Sequence, residues 1–480
     1  MQNCHCQIIK EYWSIIVVIV LLPLLLYAAI PILPTHDDWV GTTTPDFNPF
    51  FIKEHFFFYG YHWRPFDTWI GYIVGRNPQI LYPSFNHVCV IIGHVVNTLL
   101  VYLLLCRLKF NKTACNIGML FFFIIPATMA TVLAVDSQNQ VYALVWDITT
   151  FLCYVKFRKK KYWLWWPILI FIATLSKENG LMWALICPIL AYGFDFIDKR
   201  TLKKDLLIGI CIMAAYVLAI LLLPRNIIIH PDYVPEDVKV IKNIIKFFFS
   251  TFITIDYIYL LHQPSRNLLL AGITFLLTVP FMYFIFIRKI KLLGQKKMIC
   301  NIICLLIAVG PHLLTVFSMM HTYAGLALLT IMVAYIVDSY DTTIKSLAVS
   351  FALFLIAAII IDTHLWHESM KSGLVGKRMA QEAIQKTDKP VKSVYVIIIE
   401  DDYPKLSSFC VIPNEAFGWG LASKYETNYQ WPESIQDTTI ERSLTAKKEA
   451  MRIGMEALNK NLYDCIWIVN HTEIDVINKK

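Results

Sequence analysis

The residues best suited to chemistry come early: His36, Asp37, Asp38 and Trp39 follow directly on the first long apolar run of the chain. Two adjacent carboxylates at the exit of a membrane helix can accept a proton from a hydroxyl or hold a divalent ion between them. A solvated loop is the ordinary fate of an isolated Asp-Asp, so the pair gains weight only from its company. That company is Trp63-Arg64-Pro65, Asp136, Ser176-Lys177-Glu178 and Met320-His321-Thr322-Tyr323, each in a stretch between or beside apolar runs. Ionisable groups next to hydrocarbon are costly, about 2.5 to 3.5 kcal/mol at the centre of a span, and therefore pair with one another or line a polar cavity. Simpler readings stand beside this one: a local Lys177–Glu178 ion pair in a turn, a helix cap at His321 and Tyr323, and packing or loop solvation of Asp136 and Glu178.

The elements that must position these groups are membrane spans. The chain has 480 residues and is 57% hydrophobic but only 16% charged, with a mean hydropathy of +0.55, whereas soluble domains are roughly a quarter charged. A single water-soluble core is excluded. Apolar runs of crossing length recur as far as Asp362 and predict about eleven helices, at 13–33, 84–106, 113–131, 139–155, 162–175, 180–197, 206–224, 268–287, 298–318, 323–338 and 346–362. No small-x-small site closes the first run, which reads as a retained helix.

The net charge is +8, but its distribution argues against nucleic acid. Basic residues fill alternate loops: Arg107, Lys109 and Lys112; Lys156 and Arg158 to Lys161; Lys199, Arg200, Lys203 and Lys204; then Arg288, Lys289, Lys291, Lys296 and Lys297. Cytoplasmic placement of these loops puts the N-terminus inside and everything after Thr363 outside. The outer segments are then 34–83, 132–138, 176–179, 225–267 and 319–322, and they carry nearly all the candidate residues. Two outer stretches, 50–72 and 244–261, are rich in aromatic residues and predict interfacial helices on the outer leaflet, with one more span as the alternative for the second.

Past residue 363 the composition turns soluble. Strands at 394–399, 409–412 and 465–469 with a helix at 441–459 predict a small α/β domain, dividing the chain into a membrane part, 1–362, and an outer part, 363–480. Cys410 and Cys465 would both face an oxidising compartment, which allows a disulfide. The Cys4-x-Cys6 and Cys300-x3-Cys304 spacings lack the second Cys or His pair of a metal site.

Taken in order, Asp37-Asp38 after the first helix, Arg64-Pro65, Asn77-Pro78, the His87 to Asn97 run HVCVIIGHVVN and the later Ser176-Lys177-Glu178 resemble the GT-C superfamily of glycosyltransferases. The likeness is greatest to the protein O-mannosyltransferase branch and related bacterial enzymes, and it covers about 31–325. Nothing beyond Thr363 looks like the tetratricopeptide repeats or sugar-binding insert of some eukaryotic members, so protein O-mannosylation does not follow.

The resemblance implies an α-helical polytopic membrane protein, a GT-C-like bundle with interfacial helices and a small periplasmic α/β domain. It implies inverting transfer of one sugar from a polyprenyl phosphate to an acceptor hydroxyl outside the cytoplasm. Asp37 matches the family's first acidic position and is the expected base, with Asp38 orienting the sugar or His36. A lipid phosphate leaves as a stable anion, so cations rather than a general acid should serve it: Arg64 and Lys177, with His321 and Tyr323 beside them. Glu178, Asp136 and His36 are the expected sugar contacts. The branch resembled works without a metal, so no cofactor is expected, although Asp37 and Asp38 are the carboxylates that would hold one.

Chain size, Ile- and Lys-rich composition and the small outer domain resemble serotype-converting glucosyltransferases. That finer likeness implies an undecaprenyl-phosphate hexose, glucose-like, as donor and a glycan such as the O-antigen of lipopolysaccharide as acceptor, in a bacterial inner membrane. The rival class is a flippase or a polymerase of lipid-linked glycans. A flippase predicts ionisable groups at mid-membrane depth, whereas Asp147 and Asp205 are read here as lying near span ends.

Overall fold

The computed structural model describes residues 2–29, 64–66, 84–133, 137–158, 165–222, 237–248, 251, 264–313, 319–340, 345–388, 391–399 and 434–479. His36, Asp37, Asp38, Asp136, Asn77, Pro78, Cys410, most of 50–72 and the expected strand at 409–412 lie outside the described residues.

Helices occupy every one of the predicted segments. They are α1 (Gln2–Ala29), α2 (Ser84–Arg107), α3 (Lys112–Ile124) with the short α4 (Pro126–Val132), α5 (Gln138–Phe157), α6 (Trp165–Ser176), α7 (Trp183–Gly193) and α8 (Lys199–Leu222). After an amphipathic α9 (Asp237–Phe248) come α10 (Pro264–Met282), α11 (Lys296–Leu313), α12 (Tyr323–Asp338) and α13 (Lys345–Lys386). Among the described residues, six helices are long and apolar enough to cross a bilayer, and α3, α6 and α12 are apolar but shorter. With the composition above, this makes the chain a multi-pass membrane protein.

Apolar residues face both inward and outward, as a lipid solvent requires. Tyr323, Phe121, Phe122 and Phe281 are buried, while Leu24 of α1, Leu207, Leu218 and Leu221 of α8 and Leu269 and Leu276 of α10 are exposed. Such outward leucines would be a liability in water. Helices α7 and α8 meet closely at Gly209, where an added Cβ would stand 2.4 Å from the Ala184 carbonyl oxygen. Pro126 cannot donate to the preceding turn and so ends α3, starting α4 with its ring at the first helical position.

The basic loops gather at one end of the bundle. The backbone N–H of Asn111 donates to Asp338 at 2.8 Å, Lys289 Nζ donates to the Ser339 carbonyl at 3.1 Å, and Lys296 pairs with Asp195 at 2.6 Å. Lys112 lies 4.6 Å over the Tyr12 ring. Helix α1 starts at this end, with Ser14 donating to Asn116, and finishes at the other, where the Trp366 indole donates to the Ala28 carbonyl at 2.9 Å.

Of the predicted interfacial stretches, only 64–66 of the first and 244–248 and 251 of the second are described. Helix α9 starts at Asp237, earlier than the predicted 244, because its apolar stripe does. Ile241, Ile244 and Ile245 are exposed, and the buried Asn243 donates its amide to the Leu313 carbonyl at 2.9 Å, tying the helix to the end of α11.

Helix α13 passes without a break through residue 362, where the composition changes, and at 42 residues it is a rod of about 63 Å. Its last turns pack Met379, Ala383 and Ile384 on one face of a sheet built from β1 (Ser393–Ile399), β2 (Ser434–Ile440), β3 (Cys465–Asn470) and β4 (Glu473–Asn478). The order is β2-β1-β3-β4, with β1 parallel to β2 and β3 and with β4 antiparallel. Helix α14 (Ala446–Asn459) covers the other face through Ala450, Ala457 and Leu458. Burial on both faces explains why β1 and β3 read as continuous apolar runs. The edge strands β2 (SIQDTTI) and β4 (EIDVIN) are mixed in polarity, and neither was predicted. Cys465 is a free, buried thiol within 3.3 Å of the Asn478 amide oxygen.

Candidate functional site

Opposite the basic end, the connection from α6 to α7 is a tight turn that depends on a glycine. Helix α6 stops at Ser176 because Lys177 is extended, with φ −156° and ψ 137°, and a 3-10 turn over Glu178–Met182 follows. The Gly180 N–H returns to the Lys177 carbonyl at 2.9 Å. A Cβ on Gly180 would stand 2.6 Å from the Ala173 carbonyl carbon and 2.8 Å from its Cβ, so glycine alone lets the turn press back on α6. Lys177, Glu178 and Asn179 are held in place by this contact.

Glu178 then takes its partner from far along the chain. Arg64 Nε donates to both carboxylate oxygens at 2.9 and 2.8 Å, and Nη2 reaches Oε2 at 2.7 Å. The local Lys177–Glu178 pair that a turn would suggest gives way to this long-range fork, which joins the first outer segment to the α6–α7 turn. Planar guanidinium and carboxylate match in geometry as well as charge. Lys177 is 8% exposed.

His312, in the last turn of α11, stacks on His321, in the short 3-10 turn Met319–Thr322 that precedes α12; the ring centroids are 4.4 Å apart and the planes 13°. His312 Nε2 and His321 Nδ1 are buried and have no hydrogen-bond partner among the described residues. Burial pushes the His321 imidazole well below its ordinary value, and His312, Lys177 and Arg64 push the same way against an opposing Glu178. The shared electrostatics place Arg64, Lys177, Glu178, His312 and His321 at one locus. Among the described residues the locus holds two permanent cations and one carboxylate, with two imidazole nitrogens unmet. That arrangement suits an oxyanion.

A set of amides adjoins it. Asn179 Nδ2 donates to Gln140 Oε1 at 3.4 Å, and Gln138 Oε1, Gln140 Nε2 and Asn179 Oδ1 have no partner among the described residues.

Of the residues singled out in the sequence, Arg64, Lys177, Glu178 and His321 come together, while His36, Asp37, Asp38 and Asp136 lie outside the described residues. The chain leaves α1 at this same end, and Asp37 follows in sequence. Tyr323 stands apart: it is fully buried, its hydroxyl 2.7 Å from His94 Nδ1 and 3.3 Å from the Asn97 amide nitrogen. His94 Nε2 faces the Phe123 carbonyl at 3.0 Å and so carries the proton, leaving Nδ1 to accept from Tyr323. In this position His94 satisfies a carbonyl at the end of α3, close to the break made by Pro126.

Two readings of span residues divide. Asp205 is buried near the start of α8, and it accepts from Tyr154 at 2.5 Å and from Arg158. Asp147 was expected near a span end but lies midway along α5, fully buried, with neither oxygen partnered among the described residues. The predicted span, 139–155, already centres on Asp147, and the observed helix, Gln138–Phe157, keeps it there.

Sequence reasoning missed His312, Gln138, Gln140 and Asn179. Their signal was polarity at the ends of apolar runs, which is common to all spans and acquires meaning only when the ends converge.

No protein-family model and no curated protein matches this chain. Among solved structures it is similar to the archaeal oligosaccharyltransferase AglB from Archaeoglobus fulgidus, in complex with an inhibitory peptide and a dolichol-phosphate, with a TM-score of 0.44 and 14% identity. The alignment covers 81% of this chain and 62% of that one, so this chain spans under two thirds of AglB's length. A likeness this loose assigns neither fold nor activity.

Proposed function

We propose that this chain is a GT-C-type glycosyltransferase that moves one sugar from a polyprenyl phosphate to a hydroxyl of a glycan acceptor at the outer face of its membrane. The observation that carries the reading is the meeting of Arg64, Lys177, His312 and His321 at the end of the bundle away from the basic loops. A lipid phosphate leaving group needs stabilisation of negative charge rather than protonation, and this cluster supplies hydrogen-bond donors and two permanent cations. Glu178 holds the Arg64 fork in orientation, a positioning role in place of the sugar contact expected of it. The basic end is cytoplasmic by the charge bias of its loops.

Asp37 is the base in this scheme. It takes the acceptor hydroxyl's proton as the oxygen bonds to the anomeric carbon and the phosphate departs with the electron pair of the broken C–O bond, inverting that carbon. Asp38 and His36 orient the pair. Undecaprenyl phosphate as carrier, a glucose-like hexose as its sugar and an O-antigen-type acceptor in a bacterial inner membrane complete the reading.

The test compares wild type with Asp37→Asn in the native host, following surface glycans and extracted polyprenyl-phosphate sugars by mass spectrometry at matched membrane levels. Loss of one sugar from the glycan with build-up of the lipid-linked monosaccharide is the expected result. Identical profiles would remove Asp37 from the mechanism.

A second reading has one observation in its favour. Asp147, fully buried midway along α5, is the kind of group a translocator of lipid-linked glycans requires. Accumulation of a long lipid-linked oligosaccharide in an Asp147→Asn strain would favour it.

A further inference from the structure

Three amides beside the cation cluster are left short of partners by their own fold, and what they lack describes a ligand. Gln138 and Gln140 open α5 and Asn179 sits in the turn after α6; they are 6%, 1% and 8% exposed. Their one mutual hydrogen bond, Asn179 Nδ2 to Gln140 Oε1, is long at 3.4 Å. Two acceptors, Gln138 Oε1 and Asn179 Oδ1, and one donor, Gln140 Nε2, remain unmet among the described residues. Buried side-chain polar atoms are nearly always satisfied, so three such atoms on adjoining elements point to something that completes them. Asn179 is next in the chain to Glu178, which grips Arg64, and one further from Lys177.

We propose that Gln138, Gln140 and Asn179 form the subsite for the donor's sugar, and that it takes a neutral hexose through its hydroxyls; this rests on the transferase reading above. A hydroxyl both donates and accepts, so Asn179 Oδ1 and Gln140 Nε2, brought side by side by the hydrogen bond between the two amides, match its two sides. Two amide oxygens facing the carboxylate of a uronic acid would repel it. The subsite lies next to the phosphate-binding cations, as a sugar joined directly to that phosphate requires.

The test is equilibrium binding to the full chain in nanodiscs, with four probes: undecaprenyl phosphate, and the same lipid carrying glucose, mannose or galactose. Wild type should bind at least one hexose lipid more tightly than the bare lipid. Gln138→Leu and Gln140→Leu should each weaken that binding about tenfold, the worth of a lost hydrogen bond in a buried site. Both should leave the bare lipid's affinity unchanged, which also shows that they have folded. Arg64→Ala should weaken both classes of probe. If no hexose improves on the bare lipid, or if the leucine variants lose bare lipid and hexose lipid alike, buried water completes the amides and the subsite is refuted while the phosphate locus stands. If wild type binds none of the four, the transferase reading falls and takes the subsite with it. Should the leucine variants fail to fold, the wild-type comparison of hexose lipid with bare lipid still decides.

Discussion

Replacing Tyr323 by Phe removes one oxygen from a side chain with no exposure and leaves its ring, so no cavity opens. The loss is confined to hydrogen bonding. His94 Nδ1 loses its donor at 2.7 Å, whereas the Asn97 amide nitrogen keeps the Val141 carbonyl at 2.8 Å. One buried acceptor is therefore orphaned, which costs about 1–3 kcal/mol. Had the hydroxyl touched the lipid phosphate instead, the same change would lower affinity about tenfold, equivalent to about 1.4 kcal/mol, and leave stability alone. The two outcomes are read on one sample, by a denaturant titration of purified protein followed by tryptophan fluorescence and by binding of undecaprenyl phosphate in nanodiscs. Stability should fall within that range and affinity should hold within about twofold. A tenfold loss of affinity with an unmoved unfolding midpoint would refute the buried network as the role of this tyrosine and restore it to the phosphate site.

Arg64→Lys keeps the charge but loses the three-contact fork to Glu178, so affinity for undecaprenyl phosphate should drop about tenfold in the same binding assay. Asp205→Ala removes the carboxylate that Arg158 and Tyr154 share in a site with no exposure, where loss of one partner of a buried pair costs about 3–5 kcal/mol. Membrane levels should fall in an immunoblot, and adding Arg158→Met should recover much of the loss. His321 has a depressed folded-state pKa, so the folded state binds fewer protons than the unfolded one. Its contribution is complete above the unfolded value of 6.5 and is lost as pH falls below it; unfolding midpoints between pH 7.5 and 5 should decline in wild type and decline less steeply in His321→Gln.

The sequence by itself determined where the helices are, because a span is a local property: a run of apolar side chains of sufficient length with lysine and arginine at alternate ends. Arg64, Lys177, Glu178 and His321 were legible as candidates for a similar reason, being polar groups at the margins of apolar runs. The α/β character of the last part was readable in the apolar runs of β1 and β3, whereas the edge strands β2 and β4, free of that burial on one side, left no such signal.

Only the tertiary structure decided which margins meet. Glu178 pairs with Arg64 across 114 positions rather than with its neighbour Lys177, His312 joins His321 from another helix, and Tyr323 turns inward to His94 across 229 positions. Each choice depends on helix rotation and on close contacts such as Gly180 against Ala173. An apolar run fixes that a helix forms and how far it reaches, but the direction in which its few polar side chains point is set by the packing of all its neighbours at once.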